Sequence, residues 1–216
     1  MDTKLSDLGF TVGVNCEAIV TTLNPDGSPN AAPMGMTMQD QQHLKLNIFN
    51  SSSTCRNLKA SKCGVVNITG NIDVYYKAAF KEASPEGKVP SDWFVKSEVV
   101  EAPKLRSADA AVEISVESAS DDGERTLFCC KTERVAAKPS YPQVYCRAMP
   151  LTIEAITHAT RVKAFAADPE TQQMVEQLIQ TINSHARIVE RVAPNSPYTA
   201  VFADLLGRID LWRRKP

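Results

Sequence analysis

The chain has 216 residues, 43% hydrophobic and 23% charged, enough apolar material for one large core or two small ones, which excludes a disordered or fibrous protein. Its 24 basic and 25 acidic side chains leave a net charge of −1, which argues against a general attraction to nucleic acid or to anionic membranes. The longest apolar runs fall well short of the ~20 residues that span a bilayer.

The opening MDTKLSDLGF lacks the basic start and apolar stretch of a signal peptide, so a cytoplasmic location with reduced thiols is expected. Cys16, Cys55, Cys63, Cys129, Cys130 and Cys146 contain no C-x-x-C pair. His43, His158 and His185 make no metal-ligand spacing with them, and no metal site is expected.

In chain order, CEAIVTTL, NAAPMGMTM, HLKLNIF and CGVVNIT read as strands separated by polar turns. NPDG, Asn24 to Gly27, has the residues of a type I turn. Pro33 and Gly35 then interrupt the returning strand. Proline cannot donate to a ladder and glycine marks close approach, so exposed, partly unpaired backbone is expected at Ala32 to Met36.

NSSSTCRNLKAS predicts a short helix capped by Ser53 or Thr54. NIDVYYKAAF predicts another, with Ile72, Tyr75, Tyr76 and Phe80 on its apolar side. KEASPEGKVPSDWF reads as a surface loop whose end Trp93 and Phe94 pin to the core. AAVEISVESA and RTLFCCKTERVA flank SDDGE as an antiparallel hairpin.

After KPSYPQVYCRAMP the spacing becomes helical. LTIEAITHATRVKAF places Glu154, His158 and Arg161 near one another, away from its apolar stripe. Asp168 and Pro169 start the next helix, and a last one runs from Ser196 to near Gly207. Strands followed by helices predict an α+β protein: a barrel or sandwich of about 140 residues with a C-terminal helical extension.

No nucleophile elbow, Walker loop, zinc-protease helix or dinucleotide fingerprint is present. The small, open backbone around Pro33 suits a flat ligand. SSSTCRN suits a phosphate, because helix N–H groups, hydroxyls and Arg56 converge there. Together they describe a nucleotide or flavin site. Each residue also has a structural reading: serines as caps, Thr21 and Thr22 as sheet formers, Arg56 and Lys77 as solvated cations.

EAIVTTLNPDGSPNAAPMGM, STCRNL, DVYYKAAF and IEAITHATRV, in that order, resemble an uncharacterised family of FMN-binding split-barrel proteins related to the flavin reductase-like and pyridoxamine-phosphate-oxidase-like barrels. The resemblance runs from about Cys16 to beyond Arg161. It implies an antiparallel Greek-key split β-barrel over residues 1–145, a helical region over 146–216 packed on it, and a homodimer with FMN near the interface.

By this resemblance Thr21 and Thr22 contact the flavin or its ribityl chain. Asn30, Ala32, Pro33, Met34 and Gly35 line the isoalloxazine. Ser51, Ser53, Thr54, Arg56 and Asn57 surround the phosphate, and Lys77 places a positive charge near the flavin. Glu154, His158 and Arg161 either meet a substrate or form a packed polar network. The implied activity is that of an FMN-dependent oxidoreductase of unknown substrate, served by NAD(P)H or another electron donor. The alternatives are a flavin carrier or sensor without turnover, and an accessory protein of pterin-type cofactor metabolism.

Overall fold

The computed structural model describes residues 3–84, 87–139 and 146–214. The chain divides into two compact units, Met1–Gly70 with Phe80–Tyr141, and Asn71–Ala79 with Pro142–Pro216. The junction expected at 145–146 abuts residues 140–145, which lie outside the described residues.

In the first unit, β1 (Asn15–Leu23), β2 (Pro29–Asp40), β3 (His43–Phe49), β4 (Cys63–Ile68), β7 (Ala110–Asp122) and β8 (Arg125–Ala137) close an antiparallel barrel in the order β1-β2-β3-β8-β7-β4. β3 and β4 follow one another through α1 (Ser53–Ser61) yet are not neighbours, which is the Greek-key crossing. β5 (Phe94–Val95) and β6 (Lys104–Leu105) form a separate two-stranded ribbon. Trp93 and Phe94 are half-buried there rather than in the core.

The expected first turn is present. The Gly27 amide donates to the Asn24 carbonyl at 2.9 Å, and Gly27 takes φ 80°, which suits a residue without Cβ. β2 corrects the expectation of a broken strand: it runs unbroken from Pro29 to Asp40, with Pro33 opposite Ile19. What is interrupted is one edge. β2 pairs with β1 over Pro29–Thr37, but with β3 only from Met36 onward, so the stretch before Met36 has a ladder on one side alone. Pro33, which has no donor to offer, sits on that stretch.

Alternation along β1 sends Ala18 and Val20 into a core with Met36, Leu44, Leu46, Val66 and Phe128. Ile19 and Thr21 face outward and are also fully buried. Residues 97–105 are tied down on this outer face by three buried polar side chains. The Thr21 hydroxyl donates to the Pro103 carbonyl at 2.5 Å, and Asn67 accepts from the Leu105 amide at 2.7 Å. The Glu113 carboxylate accepts from the amides of Glu98, Val99 and Val100 at 3.0, 2.7 and 3.0 Å.

Gly64 lets β4 approach β1: a Cβ there would stand 3.1 Å from Leu58 Cδ2 and 3.3 Å from the Thr21 carbonyl oxygen. Gly64→Ala is therefore expected to destabilise the protein by about 1–3 kcal/mol, as overpacking does. Gly35→Ala meets only the ends of Asn15 and Glu17, at 3.2 Å, which can swing aside, and should cost less than about 0.5 kcal/mol; urea titration of the two variants measures both effects.

The second unit contains α2 (Ile72–Ala79), α3 (Ala148–Phe165), α4 (Gln172–Val192) and α5 (Pro197–Arg214). Ile72, Tyr75 and Tyr76 are buried on α2, as the spacing predicts. Tyr76 donates to Asp204 on α5, and Arg208 Nε donates to both the Tyr76 hydroxyl at 3.0 Å and Asp204 at 2.8 Å. Burial and the Asp204 carboxylate push the Tyr76 phenol well above its ordinary range, so it remains a donor.

Several helix boundaries differ from expectation, and α3 starts at Ala148, three residues before Leu151. The cap of α1 is Ser52, whose backbone is extended and whose Oγ accepts from the Cys55 amide at 3.1 Å; Ser53 and Thr54 already lie in the helix. The Asp168–Pro169 start opens as a 3-10 turn, Pro169–Thr171, before α4 begins. α5 passes through Gly207, because Leu205 and Ile209 continue its buried stripe and one glycine costs a helix only about 1 kcal/mol.

Candidate functional site

The first turn of α1 stands over one end of β1 and β2, and most of the polar residues singled out in the sequence meet there. Thr22 lies opposite Asn30. Asn30 Nδ2 donates to Thr22 Oγ1 and to Thr54 Oγ1, both at 3.1 Å. Asn57 Nδ2 donates to Thr22 Oγ1 at 2.9 Å and to Asn24 Oδ1 at 3.0 Å. Thr22, Asn30, Thr54 and Asn57 are each at most 3% exposed, so the network holds strand to helix by satisfying groups that water cannot reach.

The donors of Asn30 fix the direction of its amide. With both Nδ2 hydrogens given to hydroxyls, Oδ1 is left as an acceptor, and it receives Lys81 Nζ at 2.5 Å. Burial pulls the Lys81 ammonium below its ordinary range. Among the described residues no carboxylate pairs with it. Arg56 approaches the same turn from outside, donating from Nη1 to the Ser51 carbonyl at 2.7 Å and from Nη2 to Ser53 Oγ at 3.1 Å. It too has no carboxylate partner among the described residues, and its remaining N–H groups point to no acceptor there.

The amides of Ser53 and Thr54 lie in the first turn, where a helix has no internal acceptor for them, and the helix dipole adds to the positive field. The helix start thus offers Arg56, the Ser53 hydroxyl and free amides to an anion, and Asn30 links it to the Lys81 ammonium. Beside it lies the open edge of β2. Along that edge Ala32 and Met34 share the inner parity of Val20 and Ala18, whereas Pro33 and Gly35 share the outer parity of Ile19 and Glu17. One planar ligand cannot rest on all four side chains, but it can lie against the backbone edge they share.

Thr21 belongs to a different cluster. Its hydroxyl accepts from Asn67 Nδ2 at 3.0 Å while donating to Pro103, which commits it to the outer loop. Lys77 lies in the helical unit, paired with Asp73 at 2.8 Å one turn away. Glu154, His158 and Arg161 share α3 in that unit. Glu154 Oε1 is 3.4 Å from His158 Nε2, and His158 stacks with His185 of α4 at 6.3 Å between centroids. Burial holds the His158 imidazole below its usual range, Arg161 and His185 push the same way, and Glu154 opposes them.

Lys81, Ser52, Asn67 and Glu113 are the polar residues that sequence reading did not select. Lys81 had no local signal, since nothing in YYKAAFK separates it from Lys77. Glu113 did have one, as a lone acid in the apolar run AAVEISV. Among the described residues no three His, Cys, Asp or Glu side chains converge as a metal site would need, and no helix is long and apolar enough to cross a membrane.

The barrel order and the crossing over α1 define an antiparallel Greek-key split barrel. Residues 16–138 match the family described as protein of unknown function (DUF447), N-terminal domain, and the chain belongs to that family. Among solved structures it is similar to the FMN-bound protein MM1853 from Methanosarcina mazei, a member of the same family. The two share 18% identity and a TM-score of 0.77 over 95% of this chain and 99% of that one. The 2-nitrobenzoate 2-nitroreductase NbaA of Pseudomonas fluorescens gives a TM-score of 0.48 at 18% identity, over 61% of this chain and 68% of that one. Nitrilotriacetate monooxygenase component B of Mycobacterium thermoresistibile gives 0.47 at 18%, over 58% and 70%. No curated protein matches the chain by sequence.

Proposed function

We propose that the protein binds FMN, with the phosphate at the first turn of α1 and the isoalloxazine against the open edge of β2. The observation that carries this reading is a helix start with free amides and Arg56 beside them, joined through Asn30 to Lys81, neither cation having a carboxylate partner among the described residues. Lys81 is partly buried, and a site built for structure alone would neutralise it, because a desolvated cation without a counter-ion is costly. The FMN carried by the Methanosarcina relative supports the same assignment.

Ser51, Ser53, Thr54 and Arg56 hold the phosphate, while Thr22, Asn30 and Asn57 form the buried floor that fixes them. Ala32, Pro33, Met34 and Gly35 present the edge for the ring. Bound FMN supplies the redox chemistry, accepting and passing on electrons, while the protein binds, orients and shields it. The activity that follows is an oxidoreductase drawing on NAD(P)H or a comparable donor, in a homodimer. Mass spectrometry of the small molecule released on denaturation should find FMN; a pterin, or nothing together with failure to bind added FMN, would overturn the reading. Anaerobic bleaching of the bound flavin by NADH or NADPH separates the oxidoreductase from a carrier that does not turn over.

Arg56→Ala removes one charge-assisted contact from the phosphate and should weaken FMN binding roughly tenfold, with little change in stability because the side chain is exposed. A fluorescence titration with unchanged affinity would place the phosphate elsewhere.

A further inference from the structure

We infer that Lys81, and not Lys77, is the lysine that recognises the flavin, and that it does so by pairing with the phosphate. This rests on the FMN reading above. Four observations lead to it. Lys77 is already neutralised by Asp73 at 2.8 Å, whereas Lys81 has no acid partner among the described residues. Lys81 is partly buried, so its charge is poorly solvated and needs an anion. Its one hydrogen-bond partner among the described residues, Asn30 Oδ1, is a neutral acceptor held in place by two donations to Thr22 and Thr54, which aims the ammonium without quenching it. Thr54 belongs to the first turn of α1, where Arg56 and the Ser53 and Thr54 amides also await an anion.

The assignment discriminates between parts of the ligand. An ammonium has three donors, of which Asn30 takes one, leaving two for phosphate oxygens. Riboflavin has the same ring and ribityl chain but no phosphate, so it should gain nothing from Lys81. The protein is thereby built to prefer FMN over riboflavin, and Lys81 is a specificity residue of the site.

The test is fluorescence titration of wild-type, Lys81→Gln and Lys81→Arg proteins with FMN and with riboflavin. Lys81→Gln should weaken FMN roughly tenfold to a hundredfold, the worth of a charge-assisted hydrogen bond, and leave riboflavin unchanged. Lys81→Arg should recover most of the FMN affinity. Unchanged riboflavin binding also shows that the variant is folded at the ring site. An equal loss for both ligands, or no loss for either, would overturn the role given to Lys81 while leaving FMN binding standing. Failure of the wild-type protein to bind either ligand would instead overturn the FMN reading itself.

Discussion

Glu113→Gln should lower the unfolding free energy by about 3 kcal/mol, the worth of hydrogen bonds to a buried charge lost or inverted. It should lower the thermal midpoint by roughly 6–12 °C in a chain of this size. Glu113 is 1% exposed, and its carboxylate collects three successive backbone amides from residues 98–100. Glutamine keeps the shape but turns one acceptor into a donor facing an N–H. Burial alone would raise this carboxyl, but the amides of Glu98, Val100 and Val99, with Lys104, hold it below its ordinary value of 4.5.

The sign of the pH dependence follows from that direction. A carboxyl whose folded pKa is depressed contributes its full stability above the unfolded value and loses it as pH falls through the folded one. The gap between wild type and Glu113→Gln should be complete near neutrality and shrink as pH falls below 4.5. Urea titrations at several pH values measure it. A gap that is small near neutrality, or that does not narrow in acid, would mean that the carboxylate does not anchor the loop.

Asn30→Leu should cost about 2–4 kcal/mol and at least tenfold in FMN affinity. The substitution is close to isosteric, yet it strips Thr54 of its donor and Lys81 of its acceptor inside a nearly dry cluster. Thr22 keeps the donation from Asn57 at 2.9 Å, so the helix should loosen rather than detach. Chemical denaturation reads the first effect and flavin titration the second. A variant as stable as wild type would show that the network does not hold α1 to the barrel.

These two residues also show what the sequence could and could not convey. The strands were legible because alternation and turn chemistry are local: NPDG and DG specify their hairpins within a few residues. Pro33 correctly pointed to an edge, but not to the fact that the edge is open on one side only, since that depends on where β3 begins to pair. The cluster of Thr22, Asn30, Thr54 and Asn57 was legible as polar residues in a suspicious order. Its wiring was not, because it joins positions as far apart as Thr22 and Asn57. Lys81 and Lys77 look interchangeable in YYKAAFK; only the fold shows that one meets Asp73 and the other meets Asn30. The cap moved by one residue for a simple reason: three serines in a row offer three equivalent hydroxyls, and the backbone chooses among them.

In the proposed function the barrel unit holds FMN through an anion site at α1. Equilibrium titration of the purified wild-type protein with FMN, repeated at rising salt, tests it most directly. Saturable binding of one FMN per chain, weakening as salt screens Arg56 and Lys81, is the predicted result. No saturable binding of FMN at any salt concentration would contradict the account.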